Sequence, residues 1–179
     1  MKKKNSLVYE TALSAILCAQ AIALSWLEGL LPAFPWLPPG AKPGFSNIII
    51  MFAAGSLGFG KTLAVTVVKA GFAFVTRGAT AGAMSLAGGV LSAAAMYLLL
   101  KYAGKKLGLT GISVISALCH NAGQLAVAAV LTGTADIIYY APMLALFGVL
   151  TGAVTGIIFK AVIPALEKQK NYFVRKKEE

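Results

Sequence analysis

The sequence predicts an all-α integral membrane protein: one membrane domain over residues 1–179, built as a bundle of six transmembrane helices. Three observations carry that prediction. Apolar residues make up 58% of the chain and charged ones only 12%, where soluble domains run at about 25% charged. Apolar runs of membrane-crossing length follow one another with short polar breaks between them. The bases crowd into the tails and alternate connections, which is how a multi-pass chain is oriented.

The first helix is expected over Leu7–Leu27. Lys2, Lys3 and Lys4 before an apolar stretch imitate a secretory signal. The stretch is longer than a usual signal core and no small-x-small cleavage site precedes a soluble domain, so it reads as a retained helix. Ala15, Ala19 and Ala23 follow at i, i+4 steps, a small-residue face that lets another helix approach closely, from the same bundle or from a separate membrane subunit. The connection Glu28–Phe45 holds five prolines, which make it stiff and non-helical. Trp26 and Trp36 suit the headgroup level, and the loop reads equally as a lid or as an interfacial anchor.

The second and third helices, Ser46–Phe59 and Thr62–Val75, are short and tightly joined at Gly58-Phe59-Gly60-Lys61. The fourth, fifth and sixth are expected over Ala79–Tyr102, Ile112–Leu131 and Ile137–Val162, leaving a tail at 163–179. Charge placement favours six spans. Lys2, Lys3, Lys4, Lys61, Lys101, Lys105, Lys106, Lys160 and the basic tail then share one side, against Lys42, Arg77, Glu28 and Asp136 on the other. Merging the second and third runs would scatter the bases over both faces. The positive-inside rule puts both termini in the cytoplasm, and the cell (plasma) membrane is the expected location.

In a soluble protein a formal charge of +10 would suggest nucleic acid. Here the bases sit where membrane topology and anionic lipid account for them, so nucleic acid is excluded as a partner. Gly55–Thr62 fits the phosphate-loop expression G-x-x-x-x-G-K-[ST]. That loop must join a strand to a helix and needs a carboxylate for its metal ion. This one follows a membrane run, and Asp136, the sole aspartate, is expected on the opposite side. Cys18 and Cys119 lie inside apolar runs without metal-ligand spacing and read as small buried apolar residues.

Function is sought where the apolar runs are broken. Lys69 stands alone in TLAVTVVKAGFAFV, and a charge near the bilayer centre costs at least ~2.5–3.5 kcal/mol, so it normally faces a partner, a cavity or a substrate. His120, Asn121 and Gln124 interrupt the fifth helix at a similar depth. His120 and Gln124 share a face one turn apart, with Asn121 somewhat aside. These residues read either as a self-satisfied set of interhelical hydrogen bonds or as a site. No mid-membrane carboxylate neutralises Lys69, which favours an anionic or electron-rich ligand, with Asn47, Arg77, Glu28 and Lys42 toward the mouth. Lys69 and His120 can meet if the third and fifth helices are neighbours. One histidine and one aspartate leave nothing for a catalytic triad or a metal site, so no catalytic residue, metal or cofactor is expected and the chain does not read as an enzyme.

The Pro39-Gly40-Ala41-Lys42-Pro43-Gly44-Phe45-Ser46-Asn47 stretch after Glu28, Ser85-Leu86-Ala87-Gly88-Gly89 in the fourth helix and His120-Asn121-x-x-Gln124 in the fifth together resemble the heptaprenyl diphosphate synthase component I family, also called the Gx transporter family. The resemblance runs from about Leu7 to Val162, and Pro43 stands where members often have an aliphatic residue. That family is similar to the S components of energy-coupling factor (ECF) transporters. The resemblance implies six helices, cytoplasmic termini, a ligand pocket toward the outer face under a first-loop gate, and an Ala-x-x-x-Ala face, here Ala15 and Ala19 extended by Ala23. That face would dock a transmembrane coupling subunit driven by ATPase subunits. A synthase proper would need paired Asp-rich motifs, which one aspartate cannot build. The leading expectation is a substrate-binding membrane subunit for uptake of a small anionic or aromatic molecule. A non-catalytic accessory subunit in isoprenoid or quinone synthesis is the alternative, and a ligand-free scaffold the third.

Overall fold

In a computed structural model, residues 2–30 and 44–175 are described. Six α-helices form: α1 (Lys2–Leu30), α2 (Asn47–Ser56), α3 (Phe59–Arg77), α4 (Ala79–Tyr102), α5 (Gly104–Thr132) and α6 (Ala141–Arg175), with a 3-10 helix at Ala135–Tyr140 before the last. No strand occurs among the described residues. Five of the helices are long and apolar enough to cross a membrane. The exception is α2: its 10 residues rise about 15 Å, half of a hydrocarbon core of ~30 Å. The expected second span is therefore a half-length helix.

Helix α4 packs along α3 on one side and α5 on the other, α6 packs on α5, and α1 packs on α3. Helix α2 touches α1, α3, α4 and α6 and so fills the middle of this row. Its side chains build two cores. Ile50 and Ala53 join Leu17 and Ala21 of α1, Val65 of α3 and Ala93 of α4. Met51 and Ala54 join Met96, Ile112 and Phe159 from α4, α5 and α6. Without water, lipid-facing helices associate through close packing rather than a hydrophobic drive, and glycines provide it here. A Cβ on Gly123 of α5 would lie 2.7 Å from Gly88 Cα of α4. On α6, Cβ atoms at Gly152 and Gly156 would lie 2.6 Å from the α5 backbone at Val114 and Thr110.

Several boundaries differ from the expected ones. The expected start of the sixth helix at Ile137 falls inside the 3-10 helix, whose Thr134 cap accepts a hydrogen bond from the Asp136 N–H. The α-helix proper then runs on through the expected tail to Arg175. Helix α5 begins earlier than Ile112 but is broken at Gly108, whose φ of 62° only glycine adopts readily. The phosphate-loop look-alike is the α2–α3 junction, turning at Gly58 with φ 78°. Its Thr62 hydroxyl bonds back to Gly58 O and its Lys61 pairs with Glu10 of α1, so helix rather than strand flanks the turn on both sides. Cys18 and Cys119 are free and half-buried, less enclosed than expected.

Candidate functional site

The two ends of the bundle are marked by polar ties. At one end Lys61 of α3 meets Glu10 of α1. At the other, Glu28 near the end of α1 takes hold of the entry to α2. Its carboxylate accepts from Ser46 N–H at 2.9 Å and from Ser46 Oγ at 3.1 Å. One turn below Glu28, Ser25 accepts a long hydrogen bond of 3.5 Å from Arg77 of α3. The buried stripe on α1 explains the placement: Leu17, Ala21, Ser25 and Glu28 recur at three- and four-residue steps and face inward together.

Between α1, α3, α4 and α5 at this end lies a cavity of about 20 Å³, lined by Ser25, Glu28, Gly44, Lys69, Arg77, Ala81, Met84, Ser85, His120 and Gln124. That is room for about one water molecule. Lys69 is 2% exposed and donates to Asn47 Oδ1 at 2.9 Å, so the first turn of α2 is tied to the middle of α3. Among the described residues no carboxylate lies within ion-pairing distance of Lys69. Gly44 roofs the cavity with φ 85°: a Cβ there would stand 2.9 Å from Asn47 Nδ2 and 3.4 Å from the His120 ring. On α5, Gln124 Nε2 and His120 Nε2 are 2.6 Å apart. The amide nitrogen donates to an unprotonated ring nitrogen, or, with the amide turned, its oxygen accepts from Nε2–H.

The sequence suggested that Lys69 and His120 would meet if the third and fifth helices were neighbours. They border one cavity, but α4 stands between their helices. Gly88 and Gly89 make this possible by removing the side chains that would keep α3 and α5 away. A Cβ on Gly88 would lie 2.6 Å from the His120 carbonyl oxygen, and one on Gly89 2.6 Å from Thr66 Cγ2 of α3.

Of the site residues expected from sequence, Lys69, His120, Gln124, Arg77 and Glu28 line the cavity and Asn47 binds its lysine. Asn121 points elsewhere: its amide donates to Leu144 O of α6 at 2.6 Å, clasping α5 to α6. Lys42 and Trp36 lie outside the described residues. Ala15, Ala19 and Ala23 are all exposed, on the side of α1 turned away from its buried stripe. Sequence reasoning missed Ser25 and Ser85 as lining residues. Ser25 could have been found from Glu28, since residues three apart share a helix face.

Polar groups on the cavity side have hydrogen-bonding capacity that the described residues leave unused. Arg77 Nη1 and Gln124 Oε1 are buried without a partner. His120 Nδ1 likewise lacks a partner of normal geometry, although it lies close against the Gly88 backbone. Buried polar groups are ordinarily satisfied, so these atoms are the unused donors and acceptors of the cluster. A lysine ammonium and a guanidinium answer to an anion, with serine hydroxyls and a carboxamide for neutral polar atoms.

A solved structure described as that of the S component of a bacterial ECF transporter has the same fold, with a TM-score of 0.69 at 19% identity. The superposition covers 90% of this chain and 97% of that one. No curated protein matches by sequence. The family model for heptaprenyl diphosphate synthase component I matches residues 17–162, from α1 into α6. The match takes in every described residue of the cavity, and the chain belongs to the heptaprenyl diphosphate synthase component I family.

Proposed function

We propose that this protein is a substrate-binding membrane subunit of an ECF-type transporter, capturing a small anionic or aromatic molecule rather than catalysing a reaction. The observation that carries the reading is Lys69: a buried ammonium with no carboxylate within ion-pairing distance among the described residues, on the wall of a polar cavity within a bundle of S-component fold. As structural glue a serine or threonine would cost far less in desolvation.

In this reading Lys69 and Arg77 hold the anionic group, while Gln124, Ser25 and Ser85 address neutral polar atoms. Asn47 and Glu28 position the lysine and the start of α2, and His120 forms the floor. Asn121 contributes by holding α5 on α6. Pockets for ligands of vitamin size measure roughly 300–1,000 Å³, so occupation has to move Lys69, Arg77 and the Gly44 backbone outward from the compact arrangement. The exposed Ala15, Ala19 and Ala23 face docks a transmembrane coupling subunit that brings the ATPase subunits, with the termini in the cytoplasm of the cell membrane.

Affinity purification from a native membrane, followed by native mass spectrometry, tests both halves. The expected result is co-purification of a coupling subunit with ATPases, and a bound small molecule that Lys69→Met abolishes. Co-purification with a soluble prenyl synthase instead would overturn the reading.

A further inference from the structure

Below the cavity, the stripes that line it continue inward. On α5, Gln124 and His120 are followed one turn deeper by Ser116; on α4, Ser85 and Gly88 are followed by Ser92. Gly88 abuts His120 and Gly123 abuts Gly88, which fixes the antiparallel register of α4 and α5. Four residues along each helix from those two contacts, Ser92 faces the stretch Ser116–Cys119 of α5. Both serines are 0% exposed, and neither hydroxyl has a partner among the described residues.

A buried hydroxyl inside a helix has a ready fallback, the carbonyl one turn earlier. This chain uses that fallback repeatedly: Thr62 bonds to Gly58 O, Thr66 to Thr62 O, Thr76 to Phe72 O and Thr151 to Phe147 O. Ser92 and Ser116 have the same option and do not take it. Two such hydroxyls on facing stretches of α4 and α5 can share one third group. One turn deeper again, Met96 and Ile112 close the column as part of an apolar core with Met51, so the group they meet is enclosed on that side.

We infer that Ser92 and Ser116 form a binding site for one ordered water molecule beneath His120, separate from the ligand cavity. A cation is disfavoured because the carboxylate lining the cavity, Glu28, is at the outer end of α1 and Lys69 is the nearer charge. A water accepts from and donates to hydroxyls without regard to their orientation and completes three or so hydrogen bonds with backbone help. The site would end the polar interior of the bundle just above its apolar plug.

The test is a double-mutant cycle on the purified full chain in detergent, read by thermal unfolding. If one water serves both serines, Ser92→Ala and Ser116→Ala each lower the melting temperature, by about 2–4 °C. The double variant then falls no further than the worse single one, because either change evicts the same molecule. Additive losses would mean separate partners, and unchanged or raised melting temperatures would mean bare hydroxyls; either result overturns the inference. A high-resolution map of the unmutated protein gives an independent reading. Density within hydrogen-bond distance of both Oγ atoms is expected, whereas both hydroxyls turned back on Gly88 O and Ile112 O with no density between them would refute the site.

Discussion

Replacing Lys69 with methionine removes a buried charge from the cavity wall while keeping a long flexible side chain in its place. Two effects on folding oppose each other. Asn47 Oδ1, which accepts from Lys69 Nζ at 2.9 Å, loses its donor while 5% exposed; an orphaned buried acceptor costs about 1–3 kcal/mol. Against this, an ammonium buried with no ion-pair partner carries a desolvation penalty of several kcal/mol, which the change relieves. The relief outweighs the lost hydrogen bond, so Lys69→Met raises the melting temperature in detergent by a few degrees. Lys69→Met with Asn47→Leu raises it further, because both partners are then apolar. Binding moves the other way. Losing one charge-assisted hydrogen bond costs an anionic ligand ~1.5–3 kcal/mol, which at 1.36 kcal/mol per decade is roughly a 10- to 150-fold loss of affinity. The two readouts, thermal unfolding without ligand and titration with the molecule that co-purifies, separate a functional lysine from a structural one. A clear fall in melting temperature with unchanged affinity would refute the reasoning on both counts.

Four further outcomes are expected. Ala19→Trp leaves the isolated protein folded, since Ala19 is exposed on α1, but weakens assembly with a coupling subunit in a pull-down; unfolding of the isolated protein would make the stripe internal packing. Gly88→Ala drives a methyl to 2.6 Å from the His120 carbonyl oxygen and should cost about 1–3 kcal/mol by overpacking, seen as a lower melting temperature, with no loss arguing that α4 slides freely on α5. Glu28→Ala strips Ser46 N–H and Oγ of their acceptor, so amide exchange at the start of α2 quickens while α5 and α6 stay protected. Single cysteines at Thr134 and Lys106 should label from outside and inside the cell respectively, and the reverse pattern would invert the orientation.

The parts of this protein that sequence reveals are those where a residue type contradicts its surroundings. Lys69 in an apolar run is expensive wherever it points, so its burial against a polar partner follows from cost alone. His120 and Gln124 could be paired because a helix fixes i, i+4 neighbours without reference to anything else. What stayed hidden depends on which helix lies beside which. The separation of α3 and α5 by α4, and its bridging by Gly88 and Gly89, is a tertiary fact; in sequence, two adjacent glycines in a membrane run look like any other packing site. Helix geometry sets Asn121 aside from the His120–Gln124 face, but its acceptor at Leu144 O sits on a helix whose rotation no local pattern specifies. The half length of α2 is hidden in the sequence for a related reason. Its apolar run continues toward the Gly58 turn as if to cross the membrane, but the buried Glu28 near the end of α1 binds its entry at Ser46, so it begins already buried rather than at the surface. That start also makes the lysine tolerable, because the first turn of α2 presents Asn47 to Lys69 in the middle of α3. The start of the half-length helix and the buried cation therefore share one hydrogen bond, Lys69 Nζ to Asn47 Oδ1, and Asn47→Leu alone would leave the ammonium without that acceptor.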